Sequence, residues 1–308
     1  MSTRLAAMVY RAWDSDVAYS FRKSPVIVAA GIVTVLLFLA AIFAPWISPT
    51  DPLDLGSINL INGLLPPFWM EGGNPEFLLG TDEQGRDVLS AILYGMRISL
   101  FVGFVSVLFA MALGITLGLV SGYAGGAVDA FIMRAADVQL TFPAILIALL
   151  INGVARGIVG NQRFDELAMI VIILSIGLSF WVQYARTVRG SVLVEKNKEY
   201  VLAAKVIGIH PIVILFRHIL PNVMGPVLVI ATINLALAII TEATLSFLGV
   251  GLPATQPSLG RLIEEGNRVI QEGNWWISMM PAIALLALVL SVNLLGDWLR
   301  DALNPKLR

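Results

Sequence analysis

The sequence predicts an all-α integral membrane protein with six transmembrane helices and with both termini in the cytoplasm. Of its 308 residues, 57% are hydrophobic and 13% are charged, whereas soluble domains carry about 25% charged residues. Several apolar runs reach the roughly 20 residues that a helix needs to cross a hydrocarbon core about 30 Å thick. In the six-span arrangement, 14 of the 20 Lys and Arg residues fall on the side that holds both termini. The positive-inside rule assigns that side to the cytoplasm.

The apolar runs divide the chain into a first span, an external loop and a larger membrane core. A polar segment at residues 1–25 precedes the first run, and it is too long to open a cleavable signal peptide. The loop at 48–98 is acidic and rich in Pro and Gly, which is typical of an irregular surface segment. Residues 99–308 form the predicted core, with a cytoplasmic loop at 189–222. The six predicted spans are 26–47, 99–121, 137–153, 167–188, 223–248 and 277–296.

Glycines in and beside the second span predict close helix packing. Gly114, Gly118 and Gly122 recur every four residues. Because small residues at this spacing let membrane helices approach each other closely, we expect a neighbouring helix to pack here.

Two pairs of neighbouring residues carry local predictions. Arg134 and Asp137 are three positions apart at the start of the third span, so we expect them to pair across one helical turn. Trp275 and Trp276 precede the sixth span. Tryptophans are enriched at membrane interfaces, so we expect this pair at the headgroup level.

The chain lacks features that several other functional classes require. It has no cysteine, and its two histidines, His210 and His218, have no nearby carboxylate. We therefore expect no metal site, because a metal centre needs more ligands. A net charge of -1 gives no reason to expect nucleic-acid binding. No stretch matches the nucleotide-binding loop GxxxxGK[ST], so we do not expect this chain to hydrolyse ATP.

The cytoplasmic loop contains the segment EYVLAAKVIGIHPIVILFRHILPN at 199–222, which predicts a docking element. The pattern places Ala203 and Ala204 on a helix, ends that helix at Gly208 and starts a second helix at Pro211. The two small alanines leave a shallow surface against which a partner can pack.

Polar and rigid residues border this predicted surface. Glu199, Lys198 and Lys205 offer polar contacts at its rim. Leu220 and Pro221 end the loop where the fifth span is predicted to begin, and the rigid proline fixes the angle between loop and span. A push on the loop would then tilt a membrane helix.

Polar residues inside the predicted spans are candidates for a transport pathway. Glu242 lies near the outer end of the fifth span, where an unpaired carboxylate is costly, so it is either functional or hydrogen-bonded at the helix end. Asn234, at mid-span, either bonds a neighbouring helix or contacts a substrate. Gln183 continues a polar stripe with Ser175 and Ser179, which either lines a pathway or bonds a neighbouring helix.

Two stretches of the loop, YVLAAKVIG and RHILPN, resemble the EAA loop of ATP-binding-cassette importer permeases. The consensus of that family has Glu immediately before the two alanines, where this sequence has Leu202. Glu199 lies one helical turn earlier on the same face and offers a carboxylate instead. The resemblance implies docking on an ATPase subunit through Glu199, Ala203, Ala204, Gly208, Leu220 and Pro221.

Three other stretches resemble the dipeptide, oligopeptide and nickel branch of the same family. They are LGTDEQGRDVLSAILYGMRISL at 79–100, TEATLSFLGVG at 241–251 and NLLGDWLRDALNPKLR at 293–308. The chain departs from the branch at Asn304, usually Asp, and at Leu259, usually Trp. The first stretch contains an external motif, which either forms a salt-bridged turn or receives a partner protein at the outer face. Its residues are Gly80, Thr81, Asp82, Gly85, Arg86 and Asp87.

The resemblance implies the architecture of a type I importer permease in a bacterial inner membrane. The implied partners are a homologous second permease, two ATPase subunits and an external substrate-binding protein, besides membrane lipid. ATP and Mg²⁺ would bind to the ATPase subunits, and this chain would hold no cofactor. The expected cargo is a short peptide, with a nickel complex, glutathione or an opine as alternatives. The competing classes are a stand-alone secondary transporter driven by an ion gradient and a non-transporting membrane scaffold.

Overall fold

The computed structural model describes residues 16–54, 59–253 and 255–303, and most of these residues are helical. Residues 1–15, which make up most of the predicted N-terminal segment, lie outside the described residues. Two short helices, Asp16–Lys23 and Ala44–Ile47, flank the first long one. The principal helices are α1 (Pro25–Ile42), α2 (Val88–Ala124), α3 (Gly126–Leu140), α4 (Ala144–Val159), α5 (Asn161–Glu195), α6 (Glu199–Val206), α7 (Pro211–Phe247), α8 (Leu259–Val269) and α9 (Trp276–Leu303).

The predicted all-α membrane fold is confirmed. Among the described residues, α1, α2, α5, α7 and α9 are long and apolar enough to cross a membrane. Helices α3 and α4 make a sixth candidate span if they are taken together, although they are bent by 96° relative to each other.

The third predicted span, 137–153, is wrong as a continuous helix. The chain leaves the helical conformation at Thr141 and resumes it at Ala144. Pro143 explains the break, because a proline has no N–H to donate and disfavours the helical conformation of the residue before it, here Phe142. Length and hydropathy alone did not reveal this bend.

Three observed helices are longer than the predicted spans. Helix α2 begins at Val88 rather than at 99, because Asp87 caps it and accepts a hydrogen bond from the Ser90 backbone N–H at 2.8 Å. Helix α5 continues to Glu195, and α7 already begins at Pro211. The connection between the fourth and fifth spans is therefore shorter than the predicted loop at 189–222.

Helices α2 and α5 pack in close contact along the predicted glycines. A Cβ added to Gly114 would lie 2.5 Å from the Trp181 carbonyl oxygen, and one added to Gly118 would lie 2.6 Å from the Ala185 carbonyl oxygen. These distances are far shorter than a van der Waals contact, so the two backbones can approach this closely only where α2 has no side chain. The glycine prediction is confirmed.

The bundle has two distinct ends. At one, here called the loop end, lie residues 43–54, 59–87, 248–253 and 255–275, and Arg86 bonds Glu265. At the other, here called the far end, the last turn of α2 lies beside residues 196–210, and Lys196 donates to the Gly122 carbonyl oxygen at 2.8 Å. Helix α7 runs from the far end to the loop end.

Candidate functional site

The far-end loop folds as the predicted helix, turn and second helix. Helix α6 ends at Val206, and Gly208 has a φ of +82°, a conformation that glycine adopts without steric cost. Pro211 then occupies the first turn of α7, where its missing N–H leaves no hydrogen bond unmade.

A hydrogen-bonded network holds α6 against the ends of α5 and α7. The Tyr200 hydroxyl donates to Glu195 at 2.5 Å and accepts from the Asn222 side-chain amide at 3.2 Å. Asn222 also donates to the His218 carbonyl oxygen at 2.7 Å, and Lys198 pairs with Glu195 at 2.6 Å. Burial and the bond to the Glu195 carboxylate raise the pKa of Tyr200 to about 12, so its hydroxyl keeps its proton at physiological pH.

A second set of contacts ties the far-end loop to α2. The Lys205 ammonium lies 5.2 Å from the centre of the Tyr123 ring, within the range of a cation–π interaction. Lys196 bonds the last turn of the same helix. Helix α6 is thus connected to three membrane helices.

The two alanines of the predicted docking surface face in different directions. Ala203 is exposed, whereas Ala204 is 4% exposed and packs in the core with Val201, Ile214 and Ile219. The prediction that both alanines form one shallow surface is therefore wrong for Ala204, because adjacent residues of a helix point about 100° apart.

Apolar side chains surround Ala203 on the outside of the loop. Val206 is 88% exposed and Ile207 is 77% exposed. Both lie at the C-terminal end of α6, opposite the end that Tyr200 anchors. Exposed apolar surface of this kind is typical of an interaction site rather than of a solvated loop. The docking face, as named here, consists of Leu202, Ala203, Val206, Ile207, Ile212 and Phe216.

The docking face is continuous with a membrane helix. Contrary to the prediction, Leu220 and Pro221 do not begin a new helix, because α7 runs unbroken for 37 residues from Pro211. It contains a π turn at Ile214–Ile219, and this wider turn accommodates the ring of Pro221, which would clash in a regular helix. The second half of the loop is therefore part of the same helix as the membrane span.

The external motif forms a buried ion-pair cluster at the loop end. Arg86 pairs with Asp82 at 2.5 Å and with Glu265 of α8 at 2.8 Å, and its side chain is 6% exposed. Burial by itself lowers the pKa of Arg86, but Asp82 and Glu265 outweigh burial and raise it above the ordinary value. The salt-bridged turn is therefore present, while docking of a partner on this motif stays a prediction.

The remaining residues of the motif brace the loop around this cluster. Gly80 and Gly85 have φ of +81° and +78°, and a Cβ on Gly85 would lie 2.1 Å from the Asn59 carbonyl oxygen. The Thr81 hydroxyl accepts from the Leu65 N–H at 2.8 Å. Asp87 caps α2, as described above. The motif therefore positions the loop against α2, α8 and α9.

Trp276 also belongs to this brace. It is 4% exposed, and its indole N–H donates to the Thr81 carbonyl oxygen at 3.2 Å. The ring is therefore held against the external motif, and the headgroup depth of the tryptophan pair stays a prediction.

Glu242 lies fully buried where α7 meets α2 near the loop end. Its carboxylate accepts from the hydroxyls of Ser99 at 2.7 Å and Ser246 at 2.8 Å, and Ser258 also bonds it. Ser99 in turn accepts from the Leu259 N–H at 3.2 Å. Of the two predicted roles, the hydrogen-bonded one describes this geometry.

The three predicted pathway residues do not share a surface. Gln183 is exposed on α5, whereas Asn234 and Glu242 are buried within the chain. Asn234 is 1% exposed on α7, which packs against α2, α5 and α9, so it lies between helices. Ser175 and Ser179 bond carbonyls of their own helix at 2.7 Å. Contact of any of the three with a transported substrate stays a prediction, and Gln183 is the one whose side chain is exposed.

Sequence reasoning missed the contacts that anchor α7 near both of its ends. Tyr200 and Asn222 were in the segment singled out, but their 22-position separation gave no sign of contact. Ser99 and Glu242 are 143 positions apart. The available signal was chemical: a tyrosine beside a polar loop and a carboxylate inside a span each require a partner when buried.

The described residues contain no group of three or more His, Asp or Glu side chains that could hold a metal ion. What the far end offers is an apolar face on a fixed helix, and what the loop end offers is a rigid brace.

Comparison with known proteins identifies the family. Residues 114–308 match the family described as the binding-protein-dependent transport system inner membrane component. The chain belongs to this family. Residues 12–67 additionally match the N-terminal TM domain of oligopeptide transport permease C. The chain is therefore a multi-pass permease of a bacterial inner membrane.

Relatives of this permease span nearly its whole length. It is 41% identical over 279 residues to the dipeptide transport system permease protein DppC of Haemophilus influenzae, with 90% of each chain covered. It is 36% identical to the oligopeptide transport system permease protein OppC of Bacillus subtilis, with 95% of this chain and 90% of that protein covered. A solved structure of the MetNI methionine ABC transporter, in an inward-facing conformation, aligns with a TM-score of 0.53 at 21% identity. The alignment covers 70% of this chain and 96% of that chain. At this identity the similarity supports the fold and nothing further.

Proposed function

We propose that this chain is the permease subunit of an ATP-driven importer that moves short peptides across the bacterial inner membrane. The observation that carries the proposal is the docking face: exposed apolar side chains on a helix that is fixed by Tyr200 and continuous with α7. A permease that used an ion gradient alone would have no need of such a face. Its relatives DppC and OppC support the assignment of peptide cargo.

The orientation of the chain follows from its charges. The positive-inside rule puts the far end in the cytoplasm and the loop end outside. Two ATPase subunits, which bind ATP and Mg²⁺, would meet the docking faces of this chain and of a homologous second permease. An external substrate-binding protein would deliver the peptide at the loop end, beside the brace of Arg86 and Glu265.

Helix α7 supplies the mechanical link between these two ends. A helix of 37 residues is about 55 Å long at 1.5 Å per residue. It therefore reaches from the docking face to Glu242 and its hydrogen bonds with Ser99 and Ser246. When ATP closes the ATPase pair, the docked α6 moves, and the Tyr200–Asn222 contact carries that movement into α7. The peptide pathway then changes its open side, provided that ATP binds one conformation of the complex more tightly than the other.

Uptake of a radiolabelled dipeptide by cells that depend on this permease tests the proposal. We expect uptake to stop when ATP is depleted with the ion gradient preserved, and to persist when an uncoupler removes the gradient with ATP preserved. Uptake that follows the gradient instead would establish a secondary transporter. The peptide assignment would be overturned if these cells took up no radiolabelled dipeptide but did take up glutathione or a nickel complex through this permease.

Substitutions in the docking face connect that assay to the structure. Ala203→Glu places a charge in the apolar face and should reduce uptake at least tenfold with normal insertion in the membrane. Gly208→Leu should do the same, because a leucine is strained at a φ of +82°. Gly190→Leu is the matched control, since Gly190 is exposed on α5 with open space around it. Normal uptake by both the Ala203→Glu and the Gly208→Leu variants would contradict the proposed site.

A further inference from the structure

An apolar groove lies between α1, α2 and α7, near the loop end. Its volume is about 300 Å³, at the lower limit of the roughly 300–1,000 Å³ typical of small-molecule sites. All of its lining side chains are apolar except for one arginine, Arg97. The groove, called here the α1 groove, is formed mainly by Phe38, Ile42, Arg97, Phe101, Phe104 and Leu235.

Arg97 is an exposed cation, and no acidic side chain of the described residues forms a salt bridge with it. It forms no salt bridge and no hydrogen bond with any other side chain in the part of the chain that the structure describes. No acidic side chain lines the groove. An arginine inside a membrane helix is costly unless it reaches the interface or an anion, so this residue calls for an anionic partner from outside the chain.

The depth of Arg97 matches that of lipid headgroups. It lines the groove together with Ile42, the last residue of α1. Just beyond Ile42, the rings of Phe43 and Trp46 lie 5.4 Å apart, and Trp46 is 78% exposed. Exposed tryptophans at the end of a membrane helix mark the interface. Arg97 therefore lies near the interface, and the groove extends from it towards the membrane centre.

The groove also has the length and chemistry of an acyl-chain site. Phe104 lies seven residues, or about 10 Å along the helix, deeper than Arg97. Phe38 and Leu235 also line a second apolar groove of about 290 Å³, which lies between α1, α7 and α9 and is nearer the far end. Helix α1 leaves most of its surface uncovered, with 11% of its membrane-spanning window buried. Lipid thus has access to both grooves.

We propose that the α1 groove binds one anionic phospholipid, whose phosphate pairs with Arg97 and whose acyl chain lies along Phe101 and Phe104. A guanidinium binds phosphate through two parallel hydrogen bonds, whereas a lysine ammonium acts as a single point charge. Arg97 is therefore well suited to bind a phosphate. The amine of a zwitterionic headgroup finds no carboxylate in the groove. Phosphatidylglycerol is therefore preferred over phosphatidylethanolamine and phosphatidylcholine. The site is independent of the cargo that the permease carries.

Native mass spectrometry of the complex, purified with the subunits that accompany the full chain, tests this site. After exchange into phosphatidylcholine nanodiscs doped with equal small amounts of phosphatidylglycerol and phosphatidylethanolamine, we expect phosphatidylglycerol to be retained at least tenfold over phosphatidylethanolamine. Arg97→Gln should abolish this preference, and Arg97→Lys should keep part of it. Ile42→Trp, at a residue 58% exposed, should reduce retention of either lipid by filling the groove.

A matched control and a rival occupant complete the experiment. Arg163→Gln removes an exposed arginine at the start of α5 and should leave the lipid preference unchanged. Equal retention of phosphatidylglycerol by wild type and Arg97→Gln would overturn the proposal. It would also be overturned if Arg97→Gln released the second permease from the complex without changing the bound lipid, because the groove would then be a subunit interface.

Discussion

The Asn222 side-chain amide donates a hydrogen bond to the Tyr200 hydroxyl at 3.2 Å. This contact joins α6, which carries the docking face, to the membrane helix α7. Because Tyr200 also donates to Glu195 at 2.5 Å, the same hydroxyl fixes α6 to α5. The far-end loop is therefore attached to the membrane helices through one hydrogen-bonded polar centre as well as through the backbone.

We expect Tyr200→Phe to weaken coupling between ATP hydrolysis and transport. The variant removes the hydroxyl and leaves Asn222 with only the His218 carbonyl, while the ring still packs. The number of peptides carried per ATP should fall several-fold, and ATPase activity should persist. Asn222→Ala should add little to Tyr200→Phe, since both remove the same contact. Asn197→Ala is the control, because the side chain of the exposed Asn197 bonds only to the Leu193 carbonyl oxygen at the end of α5. Unchanged stoichiometry in Tyr200→Phe would argue against this link.

Glu242 should contribute to stability through its serine partners. In Glu242→Ala the buried hydroxyls of Ser99 and Ser246 lose their acceptor, and each buried unsatisfied group costs about 1–3 kcal/mol. Glu242→Gln keeps an acceptor oxygen and should cost less. Thermal unfolding in detergent measures both, with Thr244→Ala as the control because Thr244 bonds only a carbonyl of its own helix. A Glu242→Ala variant as stable as the wild type would contradict a structural role.

Gly118 and Gly190 should respond oppositely to alanine. A Cβ on Gly118 would lie 2.6 Å from the Ala185 carbonyl oxygen, and such overpacking costs about 1–3 kcal/mol. Gly190 has open space around its Cβ position, so alanine should gain up to about 1 kcal/mol from its higher helix propensity. The melting temperature should fall for Gly118→Ala and rise or stay constant for Gly190→Ala. The reverse order would mean that α2 and α5 are not in close contact.

Arg86 should matter far more to stability than Arg268 does. Removing one partner of a buried ion pair costs about 3–5 kcal/mol, because the other charges are left uncompensated. Arg86→Ala leaves Asp82 and Glu265 in that state. Arg268 pairs with Glu264 in a similar way, but its side chain is 62% exposed, so Arg268→Ala should cause no detectable change. Detergent melting curves at low and high salt distinguish the two, since salt should affect only the exposed pair.

Hydropathy and local patterns predicted the features that depend on neighbouring residues. The spans, the glycine stripe of α2 and the helix, turn and helix around Gly208 all follow from residues within one or two turns of each other. The break between α3 and α4 was also visible in principle, since Pro143 stands in the middle of the third predicted span.

Contacts between distant segments were not predictable in the same way. Asp137 pairs with Arg186, 49 positions away, rather than with Arg134. The local ion pair was the natural expectation, but an exposed pair three residues apart gains little, and packing of α3 against α5 brings Arg186 within reach. Trp276 likewise bonds Thr81, 195 positions earlier. Such pairs require the three-dimensional arrangement of the helices.

The measurement that tests the central claim most directly is site-specific cross-linking from the docking face. The natural chain has no cysteine, so Val206→Cys, at a position 88% exposed, introduces a unique thiol. In membranes containing the assembled complex, a short photoactivatable cross-linker on this thiol should capture an ATP-binding subunit. The yield should change when ATP is added. The same cross-linker on Leu60→Cys, at a position 75% exposed at the loop end, should not capture that subunit. No capture from Val206→Cys in a complex that transports normally would contradict the account.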